Sequence, residues 1–363
     1  MRANYALEHG TEALSMCVRK AVNEMLGSLA EDAGIRREDV FQVCVVGNTC
    51  MHHLFLGISP ASLVHAPYTP AVSERLVLNA GDYGLAVQER AELLMLSDIA
   101  GYVGADTCGC MLAIRQDQQE EISLMIDIGT NGEMVLGNRE RMVTCSTAAG
   151  PAFEGAKIEC GMRGAAGAVD HVKYEDGKWN YTTVGNKPAV GLCGSGLIDL
   201  VAGLLDAGML DENGVLRSGQ EKQGVFILVP PERGGNERGV YLTQKDLGEV
   251  QLAKAAIAAG IQMLMERLGI TEDDICSVYI AGAFGNYMDP VSAGKIGLLP
   301  ATLVKKVKPV GNAAGEGAKI ALVNEKEMLE MDELVRKIEF VELAASADFQ
   351  DHFIDELGFE TGE

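Results

Sequence analysis

The most constraining feature of this 363-residue chain is a strand that ends on an acid and turns on glycines. Ile122 to Ile128 is an apolar run of central-strand character. Gly129-Thr130-Asn131-Gly132 then supplies a tight turn, and Glu133 to Gly137 returns as a second strand. A third strand around Arg141 to Cys145 completes a meander. In this arrangement Asp127 offers a carboxylate to a hydrated metal, beside backbone N–H groups and the Thr130 hydroxyl, which suit phosphate oxygens. The same residues also make an ordinary hairpin turn, in which Asn-Gly serves positive φ and Asp caps the loop.

Strands and helices alternate around this hairpin, which favours a layered α/β architecture. Apolar positions at helical spacing predict a first amphipathic helix from about Tyr5 to Glu31. Phe41 to Val46 reads as a buried strand stopped by Gly47-Asn48, with a helix from Met51 to Leu56. Strand-type segments follow at Leu76 to Leu78 and Glu92 to Leu96, then a glycine-punctuated entry, Gly101 to Thr107, into an apolar helix ending near Arg115. Later elements are helices over 195–207, 243–268 and 317–323 and a strand over 277–281. At 47% hydrophobic content the chain can bury a large core, and its length suits two subdomains. The polar run Gln116 to Glu121 predicts their boundary, giving 1–118 and 119–363.

Three further glycine-rich constellations could carry chemistry. Tyr279 to Tyr287 runs a strand into a Gly282-Ala283-Phe284-Gly285 bend, where backbone could approach a flat ring closely; a tightly packed strand-to-helix turn reads equally from those letters. Gly194-Ser195-Gly196 opens a helix whose bare N–H groups suit an anion, or Ser195 is simply its N-cap. Asp106 either orients a water or neutralises a helix N-terminus. Cys108-Gly109-Cys110 reads as buried thiols, because no second cysteine pair at metal spacing follows. His52-His53 could be ligands or part of a partner-binding surface, but a pair flanked by Met51, Leu54 and Phe55 reads first as a partly buried helix feature.

Bulk properties remove several classes of partner. With 52 acidic against 30 basic residues and a formal charge of -22, attraction to nucleic acid or anionic lipid is opposed. No apolar run approaches the roughly 20 residues of a membrane helix, and Met1 to Tyr5 begins no signal core, so a cytoplasmic location is expected. Nine cysteines scattered among apolar neighbours suit reduced thiols in a reducing interior.

Taken together, the Asp127 to Glu133 hairpin, Gly104 to Thr107, Ala281 to Asn286 and Val310 to Ala318 resemble four motifs of the acetate and sugar kinase, DnaK-type chaperone and actin superfamily. They look like its second phosphate, connecting, adenosine and second connecting motifs. The likeness is closer to one branch, the reductive activators of corrinoid proteins. It rests on VVGNTCMHHLFLG (45–57), GYVGADT (101–107), GPAFEGAKIECGMRGAAGAV (150–169), LTQKDLGEVQLAKAAI (242–257) and YIAGAFGNYMD (279–289), which span nearly the whole chain.

That resemblance implies an actin-like, ribonuclease H-like ATPase fold: two subdomains with mixed sheets flanked by helices around a nucleotide cleft. It implies ATP and Mg2+ as ligands and a cobalt(II) corrinoid protein as partner, restored to cobalt(I) in anaerobic methyl transfer; a homodimer is compatible with it. The electron normally enters through an amino-terminal [2Fe-2S] domain, and no ferredoxin-type cysteine run occurs in this sequence. The family's first phosphate hairpin is also expected upstream of Met1, leaving the first subdomain incomplete.

Residue by residue, the resemblance implies Asp127 near magnesium-bound water, with Asp106 as the water-orienting or second metal-side carboxylate. Gly129, Thr130, Asn131 and Gly132 fall at the β- and γ-phosphates, supported by Glu133. Gly282, Ala283, Phe284 and Gly285 border adenosine, Lys254 reaches the ribose or a phosphate, and Gly194, Ser195, Gly196, Gly311 and Asn312 complete the wall. Rival readings within the superfamily are a small-molecule kinase, a hydantoinase-type subunit or a dehydratase activator. A non-enzymatic rival is a nucleotide-gated protein clamp.

Overall fold

The computed structural model describes residues 2–217, 224–282, 285–344 and 346–359. The chain divides into two compact units. One holds 1–120, 138–144 and 312–340, the other 121–137, 145–311 and 341–363. No described helix is long and apolar enough to cross a membrane.

The first unit opens with α1 (Arg2–His9) and α2 (Glu12–Ala33). One helix was expected here, but Gly10 adopts φ 82, which a right-handed helix cannot contain, and the chain breaks there. Then follow β1 (Gln42–Val45), α3 (Thr49–Leu56), β2 (Leu76–Asn79), β3 (Glu92–Met95) and α4 (Ala105–Ile114). The strands form a sheet in the order β1-β3-β2, parallel between β1 and β3 and antiparallel between β3 and β2. Phe55, Leu93 and Met95 are its buried centre, and Val18 and Val22 of α2 pack against them. Both histidines of α3 are buried. His53 Nε2 accepts from the Ala71 amide at 2.9 Å, so its Nδ1 carries the proton that it donates to the Thr49 carbonyl at 2.8 Å. His52 Nδ1 lies 3.2 Å from buried Asp98.

The second unit is built on β4 (Ile122–Ile128) and β5 (Gly132–Gly137), with the end of β6 (Met142–Thr147). It continues with β7 (Ala168–Glu175), β8 (Lys178–Thr183), β9 (Gly191–Leu192), α5 (Gly194–Asp206), β10 (Val225–Val229), β11 (Val240–Thr243) and α6 (Gln244–Leu268), then β12 (Ile275–Ala281), α7 (Pro290–Lys295) and β13 (Val307–Gly311). The central strands run β13-β12-β4-β5. Strand β12 is parallel to both β4 and β13, and β4 is antiparallel to β5. Helix α6 starts at a capping box: Thr243 Oγ1 accepts from the Asp246 amide while Asp246 accepts from the Thr243 amide.

The chain then supplies α8 (Ala313–Val323), α9 (Glu325–Val335) and β14 (Glu339–Phe340) to the first unit, where β14 pairs with the opening of β6. In that unit Arg75 donates to Asp332 at 2.6 Å, tying α9 to the segment before β2. Finally α10 (Ala347–Asp355) returns to the second unit.

Candidate functional site

The carboxyl ends of three parallel strands gather the strongest candidates, the position at which open α/β sheets bind ligands. Strand β4 ends at Asp127-Ile128, β12 at Ala281 and β13 at Gly311. Gly282, just past β12, has φ 89, and a Cβ there would lie 2.9 Å from Asp127 Oδ1. Its amide donates to the Gly311 carbonyl at 2.9 Å, and Gly285 donates back to Gly282 at 3.2 Å. Asp127, Gly282, Gly285 and Gly311 therefore form one backbone-lined corner. Ala283 and Phe284 lie outside the described residues.

The hairpin turn borders this corner. Asp127 pairs with Glu133 and Ile128 with Gly132, so residues 129–131 form the bend. The Gly129 amide donates to the Asn131 carbonyl at 2.9 Å, and Thr130 Oγ1 donates to Glu154 at 2.9 Å. Glu133 faces its own sheet: one oxygen accepts from Asn131 Nδ2 and from Ser146 Oγ, both at 3.3 Å. Behind it the Cys145 thiol is held far above its ordinary value, by burial first and by the Glu133 charge second.

A cavity of about 400 Å³ opens beside the bend, lined among others by Ile128, Glu154, Arg163, Cys193, Ser195 and Tyr287. Gly194 shares that lining and starts α5. The N-cap is Cys193 with no side-chain cap, not Ser195, whose hydroxyl sits 3.4 Å from the Cys193 sulfur. Gly196 lies against the Val169 carbonyl, where a Cβ would come within 2.2 Å, so it serves the packing of α5 on β7. Tyr287 also lines a second cavity of about 630 Å³ with His171, Asp199, Asn286 and Lys295. There Asp199 accepts from His171 Nδ1 at 3.1 Å and from the Val172 amide at 3.3 Å. Burial nevertheless raises its carboxyl above the ordinary value.

Lys254, Asp106 and Asn312, also expected at the nucleotide, each make contacts within their own unit. Lys254 is only 1% exposed, with its ammonium 3.9 Å from Glu356 and 5.7 Å from the Phe359 ring centroid. Both partners belong to the carboxyl-terminal segment. Asp106 and Asn312 belong to the first unit. Asp106 accepts from the Thr107 amide at 3.0 Å, while Asp98 receives the Ala105 amide at 2.9 Å. Asn312 caps α8 through the Gly315 amide at 3.1 Å. Cys108 and Cys110 are buried, and burial holds the Cys108 thiol well above its ordinary value. Among the described residues no three His, Cys, Asp or Glu side chains converge as a metal site. Glu154, Arg163 and His171 were not anticipated; the glycine-dense segment 150–167 was the sequence signal for the first two.

A hairpin on β4, a glycine bend on β12 and helices packed on the mixed sheet define an actin-like ASKHA domain. Residues 121–363 match the family model described as the C-terminal domain of RACo, the ASKHA domain, and residues 1–119 match that of the RACo middle region. The chain belongs to this family. It is 34% identical, over 97% of its length, to the corrinoid activation enzyme RamQ of Eubacterium limosum, covering 62% of that protein. It is 29% identical to the [Co(II) methylated amine-specific corrinoid protein] reductase of Methanosarcina barkeri, over 77% of this chain and 54% of that one. A solved structure of a reductive activator for corrinoid, iron-sulfur protein superposes with a TM-score of 0.90 at 37% identity, over 99% of this chain and 59% of that one. The chain thus spans roughly three fifths of these proteins.

Proposed function

We propose that this chain is the ATP-binding portion of a reductive activator that returns cobalt(II) corrinoid proteins to cobalt(I). The observation that carries the nucleotide assignment is the corner of Asp127, Gly282, Gly285 and Gly311 beside the bend 129–131, at the carboxyl ends of β4, β12 and β13. Magnesium keeps most of its waters and needs only one or two carboxylates, so Asp127 fits its outer or inner shell. Gly129, Thr130 and Asn131 are assigned to the phosphate oxygens, the Thr130 hydroxyl turning from Glu154 to donate to them. Gly282 and Gly285 leave backbone open to the adenosine, and Asn286 and Tyr287 extend that wall. Asp106 is kept as a candidate for orienting the attacking water.

One-electron reduction of cobalt(II) to cobalt(I) is uphill for ordinary donors, so it needs coupling to ATP. Coupling requires that the nucleotide states differ in affinity for the corrinoid partner. This chain is given the nucleotide-binding and partner-binding roles, with the electron supplied by a low-potential one-electron donor. Anaerobic calorimetry with Mg·ATP, followed by capture of a cobalt(II) corrinoid protein with and without nucleotide, tests both parts. Saturable ATP binding and nucleotide-dependent capture are expected. A chain that binds neither ligand would sink the reading.

A further inference from the structure

We infer that Arg163 is a direct ligand of the nucleotide's phosphates; the inference rests on the nucleotide reading above. It begins with charge. A bound triphosphate is strongly anionic, yet the residues around the bend are acidic: Asp127, Glu133 and Glu154. Magnesium offsets part of that repulsion, and phosphate sites complete the balance with a guanidinium or ammonium. Arg163 is the cation lining the cavity of about 400 Å³ that also contains Ile128, Glu154, Gly194 and Ser195.

Three other basic residues of the second unit are engaged. Lys157, on the same loop, is paired with Glu249 at 3.0 Å. Lys254 is buried against the carboxyl-terminal segment, and Lys295 holds both oxygens of Asp206 at 2.6 Å. Arg163 is exposed, and among the described residues its guanidinium has neither an ion pair nor a hydrogen bond. A planar fork of five donors is thus open to bidentate contact with phosphate oxygens.

Its backbone is fixed in place for that task. The Met162 amide donates to the Leu192 carbonyl at 2.8 Å, and the Leu192 amide donates to the Cys160 carbonyl at 2.8 Å. The Arg163 carbonyl accepts from the Ala165 amide at 2.7 Å. Leu192 is followed at once by Cys193, the N-cap of α5, which leaves the first amides of that helix without a side-chain cap. One backbone bridge therefore brings a free guanidinium and a helix amino end to the same cavity, next to Glu154 and hence to Thr130.

The test is calorimetric binding of Mg·ATP, Mg·ADP and adenosine to the wild-type chain, R163Q and R163K, with melting temperatures as the control for folding. Because the side chain is exposed and holds no partner, R163Q should melt like the wild type. It should bind Mg·ATP about ten- to hundredfold more weakly, the range for loss of charge-assisted hydrogen bonds. Mg·ADP should weaken as well, adenosine should be unchanged, and R163K should recover part of the loss. R163Q with wild-type Mg·ATP affinity overturns the inference, and so does an equal loss for ATP and adenosine. A wild-type chain that binds no nucleotide fails the nucleotide reading itself, and the inference with it.

Discussion

The Thr130 hydroxyl donates a 2.9 Å hydrogen bond to the Glu154 carboxylate, so the bend proposed to hold phosphate already carries an acid from 24 residues further along the chain. A carboxylate there acts in two ways. It orders the bend, and it repels an anionic ligand that lacks its metal. Glu154→Gln keeps an acceptor for Thr130 and removes the charge. We expect magnesium-free ATP to bind about three- to tenfold more tightly, with a smaller difference once magnesium is present. Calorimetry with and without EDTA measures both values, and weaker binding in both conditions would contradict the charge argument.

Gly282 stands at φ 89, and its missing side chain leaves room for Asp127. Gly282→Ala adds strain of about 1–3 kcal/mol from a positive φ and places a methyl 2.9 Å from Asp127 Oδ1. Urea unfolding should show the loss of stability, and calorimetry should show weakened Mg·ATP binding. Asp127→Ala, which has no backbone strain, should weaken Mg·ATP without the stability loss. Unchanged affinity in Asp127→Ala would remove Asp127 from the site.

Local signals explain what could be read from the letters alone. The hairpin, the glycine bend and the Thr243 cap are each written within about ten consecutive residues, so period, turn chemistry and capping all agree there. Lys254 shows the limit. On a helix running Ala253-Lys254-Ala255-Ala256-Ile257, nothing nearby announces that Glu356 and Phe359 will lie against the lysine. Glu154 and Arg163 come from an aperiodic loop, whose contacts depend on tertiary folding. The β7/β8 hairpin is different: its Asp176-Gly177 turn has positive φ at both positions, the two-residue turn that the letters Asp-Gly favour.

Burial pushes the Cys44 thiol up to about 11 from an ordinary 9.0. Two units of displacement mean about a hundredfold less thiolate below pH 9, and thiolate is the reactive form. Iodoacetamide at pH 8 should therefore label the exposed Cys17 and Cys276 in the folded protein and spare Cys44 until denaturant is added. Peptide mass mapping reads the pattern. Labelling of Cys44 at the rate of Cys276 in the folded chain would mean that β1 opens readily.

Asp199 supplies the pH dependence. Its carboxyl is raised in the folded chain, chiefly by burial, against hydrogen bonds from Ser292, His171 and the Val172 amide that favour the charged form. A raised folded-state value means that the fold binds the proton more tightly than the unfolded chain does. The stability it contributes is present below the ordinary carboxylate range and is lost as pH rises through the folded value. Asp199→Asn stays neutral throughout and escapes that loss. Urea unfolding of the two proteins from pH 4 to pH 7 should therefore show the variant gaining on the wild type as pH rises, then levelling off. A difference that stays flat, or that grows in favour of the wild type, would mean that the His171 and Val172 hydrogen bonds outweigh burial at this carboxylate.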